Sequence, residues 1–288
     1  MEKCVVCDSE MSAGITAWHF LCSACGYEGA ALTPRINEEA AYLTLKEADR
    51  EAGLKDIRAD NFRVIVQAIE RHAQPGHRSL LDVGSAHGWF LQAAAPSFAV
   101  TGIEPDEAVA RQARQCGHPI RTGFFPAALN ENERFDVIVF NDVIEHIPEV
   151  RAALDACAAH LHDGGLLVLN LPSSSGFFYR LAKLLVRVGW PHPFERLWQK
   201  DLPSPHVHYF SLANLTALAQ DRRFQPLTTF ELPSVRARGL LARMRWAGDL
   251  RGVSLWLQYI CILGALPFIR LFRSDINVAI FRRAPYSN

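Results

Sequence analysis

Ser79-Leu80-Leu81-Asp82-Val83-Gly84-Ser85-Ala86-His87-Gly88-Trp89-Phe90-Leu91 is the stretch on which the reading of this 288-residue chain turns. A short apolar run ends near an acid, crosses small or turn-forming positions and opens into a helix-prone segment, Trp89 to Ala95. This predicts a strand, a tight loop and a helix N-terminus, where backbone N–H groups and the helix dipole face a ligand. Glycines let the backbone approach a bound molecule closely, and Asp82 at the strand end can accept hydrogen bonds from it. A dinucleotide fingerprint would place its third glycine five residues after the first, and Trp89 stands there instead. Gly84, Ala86 and Gly88 follow a G-x-G-x-G spacing, with alanine in the middle.

Downstream, strands alternate with helices. Ser97–Glu104 reads as a second strand ending in a carboxylate 20 residues after Gly84, where nucleotide-binding α/β domains hold ribose hydroxyls. A helix Asp106–Cys116 follows, then a short strand near Ile120 and the loop Thr122–Pro126, in which Phe124 or Phe125 could stack on a base. Phe135–Phe140 is a further apolar strand and runs into Asn141-Asp142-Val143-Ile144-Glu145-His146. Leu154–Leu161 is helical, Gly164-Gly165 turns, and Leu166–Leu171 is another strand. Near-continuous apolar strands alternating with helices argue a parallel sheet covered on both faces.

The N-terminus carries different chemistry. Cys4-x-x-Cys7 and Cys22-x-x-Cys25 are two knuckles with the spacing of a four-thiolate zinc ribbon, and Gly26 suits the turn after the second. Four thiolates leave no open position, so a structural metal is expected rather than a catalytic one, with thiol redox chemistry the alternative. The first residues are charged and Cys-bearing rather than apolar, which reads as no secretory signal, and the cysteine usage fits a reducing cytosol. Thr33–Asp60 is polar, with Tyr42 and Leu45 as anchors, and is expected to be a connector or lid ahead of helical periodicity from Phe62 to Ile69. The ample apolar fraction argues against disorder. Residues 1–150 carry 13 Lys/Arg against 22 Asp/Glu, and residues 151–288 carry 17 against 8. The basic second half therefore suits an anionic partner, a phosphate-bearing substrate or a membrane surface.

With FDVIVFNDVIEHIPE (135–149), HDGGLLVLNLPSSSG (162–176) and HVHYFS (206–211) added to the loop near Gly84, the chain resembles the class I S-adenosylmethionine (SAM) methyltransferases. The likeness is to the branch of ubiquinone-type, glycan- and lipid-pathway enzymes, with a zinc ribbon ahead of the catalytic domain. It implies a Rossmann-like α/β sheet of seven strands, the last antiparallel, with helices on both faces. The expected organisation is a ribbon over 1–33, a connector over 34–60 and a methyltransferase domain over 61–288, with insertions at about 174–202 and 233–274. By the resemblance, Asp82, Gly84 and Gly88 contact the methionine part of SAM, together with Ser85 and Ala86, which depart from the usual residues. Glu104 holds the ribose, Phe124 borders the adenine, and Asn141, followed by Asp142, lies beside the sulfonium. A hydroxyl acceptor needs a base, and His206, with His208 second, is placed for it just before a helix beginning at Ser211. Asp142, Glu145 and His146 fall at i, i+3 and i+4, a spacing that would share one side of a helical turn. Ubiquinone-type relatives can use this segment for a divalent ion; local capping and packing is the other reading.

The two insertions mix large apolar residues with arginines. Gly176–Lys200 carries Arg180, Lys183, Arg187, Arg196 and Lys200. Val253–Ile269 has no charge and is flanked by Arg243, Arg245, Arg251, Arg270 and Arg273. At 17 residues, and lying between two strands that must pair, the second falls short of a membrane span. Both are expected to be surface helices able to rest on a membrane, the alternatives being a buried cap or a dimer contact. The expected activity is SAM-dependent methylation of an oxygen on a small amphipathic, lipid-linked or glycan acceptor, in the cytoplasm at the inner membrane face; a homo-oligomer stays open. An RNA methyltransferase is the second enzyme reading. Against nucleic acid stand basic residues interleaved with apolar ones, and the lack of an Asn-Pro-Pro-aromatic segment or a Pro-Cys nucleophile after the Phe135 strand. A scaffold with a spent pocket is the reading from a different class, and the intact Asp82, Gly84, Gly88 and Glu104 speak against it.

Overall fold

The computed structural model describes residues 2–35, 47–247 and 252–285. Tyr42 and Leu45 of the expected connector lie outside them. The N-terminal strands are β1 (Ser12–Ala13), β2 (His19–Leu21) and β3 (Glu28–Ala30). Helix α1 (Glu47–His72) then leads to β4 (Ser79–Val83), α2 (Trp89–Ala94), β5 (Ala99–Glu104), α3 (Glu107–Gln115) and β6 (Ile120–Thr122). Next come β7 (Phe135–Asn141), α4 (Val150–His160), β8 (Leu161–Pro172), α5 (Phe177–Arg187) and α6 (His192–Leu197). The chain closes with β9 (His208–Tyr209), α7 (Leu212–Asp221), β10 (Phe224–Leu232), α8 (Leu240–Ala247), α9 (Val253–Ile269) and β11 (Ile276–Arg283).

Seven strands form one sheet in the order β10-β11-β8-β7-β4-β5-β6. Pairings from β8 to β6 are parallel, and β11 runs antiparallel to both β8 and β10. The final strand is thus the reversed one, as the resemblance implies. Strand alternation divides the apolar residues between two faces. Ile138 and Phe140 of β7, Leu167 and Leu169 of β8, and Phe281 of β11 face one side, packed against α4 and α7. Val137, Val139, Val168, Val278 and Ile280 face the other, against Ile65 and Ile69 of α1 and Phe90 of α2. Local signals fix the helix starts. Asp106 caps α3 by accepting from the N–H groups of Ala108 and Val109, and Ser211 and Asn214 form a reciprocal capping box on α7.

The N-terminal strands are joined to a later segment of the chain in a second, four-stranded sheet rather than tethered beside it. They pair as β1-β2-β3, and β3 then pairs antiparallel with β9, Glu28 opposite Tyr209 and Gly29 opposite His208. Cys4, Cys22 and Tyr27 belong to the same buried cluster as β7 and α4. Glu28, 5% exposed, is met by His19 Nε2 at 2.8 Å, the Tyr179 hydroxyl at 2.8 Å and Lys183 Nζ at 2.8 Å. Burial alone would push the Glu28 carboxyl up; the donors from His19 and Lys183 outweigh it and hold it below its usual range. Helix α5 is therefore clamped to β3 by a satisfied buried charge.

Phe281 is fully buried in β11 at the centre of the cluster shared by β8 and α7. Phe281→Ala is expected to cost about 3–5 kcal/mol, read from urea unfolding as a lower midpoint at unchanged slope.

Candidate functional site

The carboxyl ends of β4, β5, β7 and β8 lie side by side at one edge of the sheet, where parallel α/β sheets bind ligands. Asp82 lies opposite Gly102 of β5 and Val139 of β7 in the register, and Asn141 lies opposite Asn170. A polar row results: Asn141 Nδ2 donates to Asp82 Oδ1 at 3.1 Å, and Asn170 Nδ2 donates to Asn141 Oδ1 at 3.4 Å. Asn170 Oδ1 is buried with no hydrogen-bond partner, an acceptor that a ligand donor would satisfy. Burial pushes the Asp82 carboxyl up to about 8, the Asn141 donation opposing it and the Glu104 charge adding to it.

The loop after β4 wraps over this row. Gly84, Ala86 and Gly88 all take left-handed backbone, φ 70°, 43° and 76°, which glycine adopts freely and alanine only with strain. A Cβ on Gly84 would come 2.5 Å from Val143 Cγ2, and one on Gly88 would come 2.6 Å from the His118 ring. Glycine at these positions therefore also serves packing within the chain. The N–H groups of Gly84 and Ser85 both donate to Ile103 O, at 2.8 and 2.9 Å. Glu104 ends β5 beneath the loop, accepting from Ala86 N and Asp106 N at 2.9 Å each. Burial raises its carboxyl above the usual range, the two backbone donors working against the shift. Each oxygen keeps a second acceptor site, so the carboxylate can anchor the loop and still receive ribose hydroxyls. Phe124 is half exposed, one residue after Gly123 donates to Glu104 O at 3.0 Å. Phe125 instead packs in the core, 5.6 Å between ring centroids from Phe140.

Beyond Asn141 the chain makes a single 3₁₀ turn, Ile144–His146, and the spacing expectation changes here. Asp142 has φ 55° and turns its carboxylate to Arg58 of α1, 3.3 Å away, so it does not share a side with Glu145 and His146. Glu145 points inward, fully buried, and is joined by His206 from the segment before α7. Glu145 Oε1 lies 3.9 Å from His146 Nε2 and 4.0 Å from His206 Nε2, and neither Glu145 oxygen has a hydrogen-bond partner. Burial, reinforced by the Asp142 charge, pushes the Glu145 carboxyl well up, with Arg58 opposing. His146 Nδ1–H donates to Pro205 O at 2.9 Å, and the two imidazoles stand 4.7 Å apart between centroids. His208 is not brought to this group. The Tyr27 hydroxyl donates to its Nδ1 and its Nε2–H donates to Ile147 O at 2.9 Å. Burial lowers its pKa to about 4, so it is neutral and structural.

The four cysteine sulfurs lie within 4.8 Å of one another, with Cys4–Cys25 and Cys7–Cys22 both at 3.5 Å. Tetrahedral thiolates at about 2.3 Å from zinc would sit about 3.8 Å apart, so the donor set fits a closed metal site. Asn170, Arg58 and the Tyr27–His208 contact escaped the sequence reading. Only Asn170 carried a local signal, a lone amide inside the apolar run LLVLNLP.

A model of the family described as "Methyltransferase domain" matches residues 56–229. Among curated proteins, a ubiquinone biosynthesis O-methyltransferase of Paramagnetospirillum magneticum is 42% identical over 96 residues, 31% of this chain and 39% of that protein. Its counterpart from Stutzerimonas stutzeri is 29% identical over 127 residues, 41% of this chain and 53% of that protein. The chain thus matches no more than about half the length of these relatives. A SAM-dependent methyltransferase structure from Thermotoga maritima superposes with a TM-score of 0.54 at 15% identity, covering 83% of this chain and 96% of that one. At that identity the likeness is one of fold.

The raised Asp82 carboxyl carries a pH signature. The folded chain holds this proton to about pH 8, whereas the unfolded value is 3.8, so the native state binds the extra proton between those limits. Asp82 therefore lowers stability progressively as pH rises through that window. Asp82→Asn is expected to remove this share, giving a flatter dependence of urea-unfolding free energy on pH from about 4 to 8.

Proposed function

The chain belongs to the methyltransferase-domain family and is a class I SAM-dependent methyltransferase, and from this we propose that it methylates an oxygen of a small amphipathic acceptor, lipid-linked or glycan-bearing. The observation that carries the proposal is that β7 and the turn after it contribute to two polar groups. The Asp82–Asn141–Asn170 row and Glu104 suit a cationic nucleoside, and the turn that follows Asn141 carries Glu145 and His146, which His206 joins from the segment before β9. SAM, when bound, supplies the methyl group as an activated sulfonium. Asp82 and the loop Gly84, Ser85, Ala86 and Gly88 hold its amino-acid end in this reading, Glu104 the ribose, Phe124 the adenine, and Asn141 with Asp142 the edge near the sulfur. The protein's main contribution is to hold acceptor and methyl carbon in line. His206 takes the acceptor proton, with Glu145 Oε1 4.0 Å from its Nε2. The likeness to two ubiquinone biosynthesis O-methyltransferases supports oxygen as the acceptor atom.

A second reading of the trio has its own support. Two imidazoles and a carboxylate are a donor set for a divalent cation, and an unpartnered buried carboxylate calls for a compensating charge. In that case the acceptor oxygen would be activated by the ion rather than by His206. The four cysteines at the N-terminus are proposed to hold a structural zinc.

Calorimetry with SAM, and methyl transfer from labelled SAM to a lipid and glycan extract, test the main proposal. His206→Ala is expected to lower turnover about 100- to 10,000-fold with the SAM dissociation constant unchanged. A chelator-treated enzyme that regains its rate only with added magnesium or manganese would transfer the role to the cation. Absence of any SAM binding heat would remove the assigned cofactor roles.

Removal of the ribbon metal has a separate expected outcome. Ala30 N–H donates to Val207 O at 3.0 Å, and Val207 N–H donates to Glu145 O at 2.9 Å. Cys22→Ser should therefore lower both the melting temperature and the transfer rate while SAM affinity holds, measured by thermal unfolding, metal content and calorimetry on one preparation.

A further inference from the structure

Helix α9 is the anomaly of this surface. It carries no charged residue, its length is about 25 Å, and yet only Leu255 and Leu266 are buried. Trp256, Leu257, Ile260 and Phe268 are 49%, 59%, 61% and 67% exposed. A helix apolar nearly all round belongs in a core or in lipid, and on this one only Ser254, Gln258 and Tyr259 bring a polar group to the surface. It does not cross a bilayer: no helix among the described residues is long and apolar enough, and the chain after α9 returns to β11 in the sheet that β10 left.

The apolar surface continues onto α5. Phe177 N–H donates to Arg273 O at 3.1 Å, and the rings of Phe177 and Phe272 stand 5.0 Å apart. The buried side of α5 faces the ribbon through Tyr179 and Lys183, while Leu184 and Val188 are 54% and 73% exposed. Arg180, Arg187, Arg270 and Arg273 are exposed around these residues and form no salt bridge among the described residues. Asp275, the carboxylate at this corner, is taken up by the N–H groups of Phe178 and Tyr179.

We propose that α9 and the outer side of α5 form a docking face for an anionic phospholipid bilayer, with the apolar side chains in the acyl boundary and the four arginines on lipid phosphates. Charge decides between this and a second copy of the chain. A two-fold contact would bring two copies of this basic face together and double its unneutralised charge, whereas phosphate headgroups neutralise it. The proposal rests on surface composition and does not require the acceptor to be lipid-linked, although such an acceptor would be met at that surface.

Co-sedimentation of the full chain with vesicles of phosphatidylcholine, and of equimolar phosphatidylcholine and phosphatidylglycerol, tests it. Binding to the anionic vesicles is expected, and Arg270→Gln with Arg273→Gln should weaken it about tenfold or more. Leu257→Asp with Ile260→Asp should abolish binding while thermal unfolding and SAM affinity stay at parental values. A chain that stays in the supernatant with both vesicle types overturns the proposal. So does a stable dimer in solution that the Asp pair dissociates, since the face then belongs to a second copy. Vesicle binding without SAM binding would sink the cofactor assignments and leave the docking face standing.

Discussion

The backbone of Val207 is gripped from two sides, by Ala30 of the ribbon and by Glu145 of the turn after β7. His206 N–H adds a bond to Trp198 O at 2.9 Å at the end of the first insertion. Three parts distant in sequence, the cysteine knuckles, the inserted helices α5 and α6, and the loop after Asn141, thus converge on one short segment. Its neighbours are two histidines with different roles. His206 is delivered to Glu145, while His208, two residues further, is locked by Tyr27 and Ile147. His206 lies before β9, outside its alternation, and meets different neighbours from His208 within the strand. The ribbon is in this sense a wall of the site, since the segment bearing His206 is ordered by hydrogen bonds to it.

A second constraint is electrostatic. Asp82, Glu104 and Glu145 are all buried near the carboxyl ends of the parallel strands, and burial raises all three carboxyls. They are satisfied to different degrees. Glu104 is stabilised by two backbone N–H groups, Asp82 by one amide, and Glu145 by no hydrogen bond. Buried acids kept without full partners cost stability, and such groups concentrate where a ligand completes the set. The loop glycines belong to the same economy of space. Close approach of Val143 to Gly84 and of His118 to Gly88 brings the loop down onto the acids, and Ala86 accepts left-handed backbone to give its N–H to Glu104.

Much of the fold was legible because it is written locally. Near-continuous apolar runs gave the strands, Asp106 and Ser211 marked helix starts, and the small-residue loop between Val83 and Trp89 placed the site at the strand ends. The spacing Asp142, Glu145, His146 misled because it presumes α-helical geometry. The chain makes a 3₁₀ turn there, and a left-handed Asp142 swings its carboxylate out to Arg58. Arg58 sits 84 residues away in sequence, and no local pattern announces it. Phe124 and Phe125 were equivalent in sequence, and only packing against Phe140 separates them.

By itself the sequence determined the class of architecture, the cysteine donor set, the loop with its two acids, and the unusual uncharged helix before the last strand. Each of these follows from periodicity or from residue types at fixed spacing, information carried within a few turns of chain. The tertiary structure alone decided which histidine joins Glu145, that the ribbon extends its sheet through β9, and that α9 lies bare. Those outcomes depend on contacts between segments more than 180 residues apart, such as Tyr27 with His208, and a side chain's partners at that range are set by packing the whole chain at once.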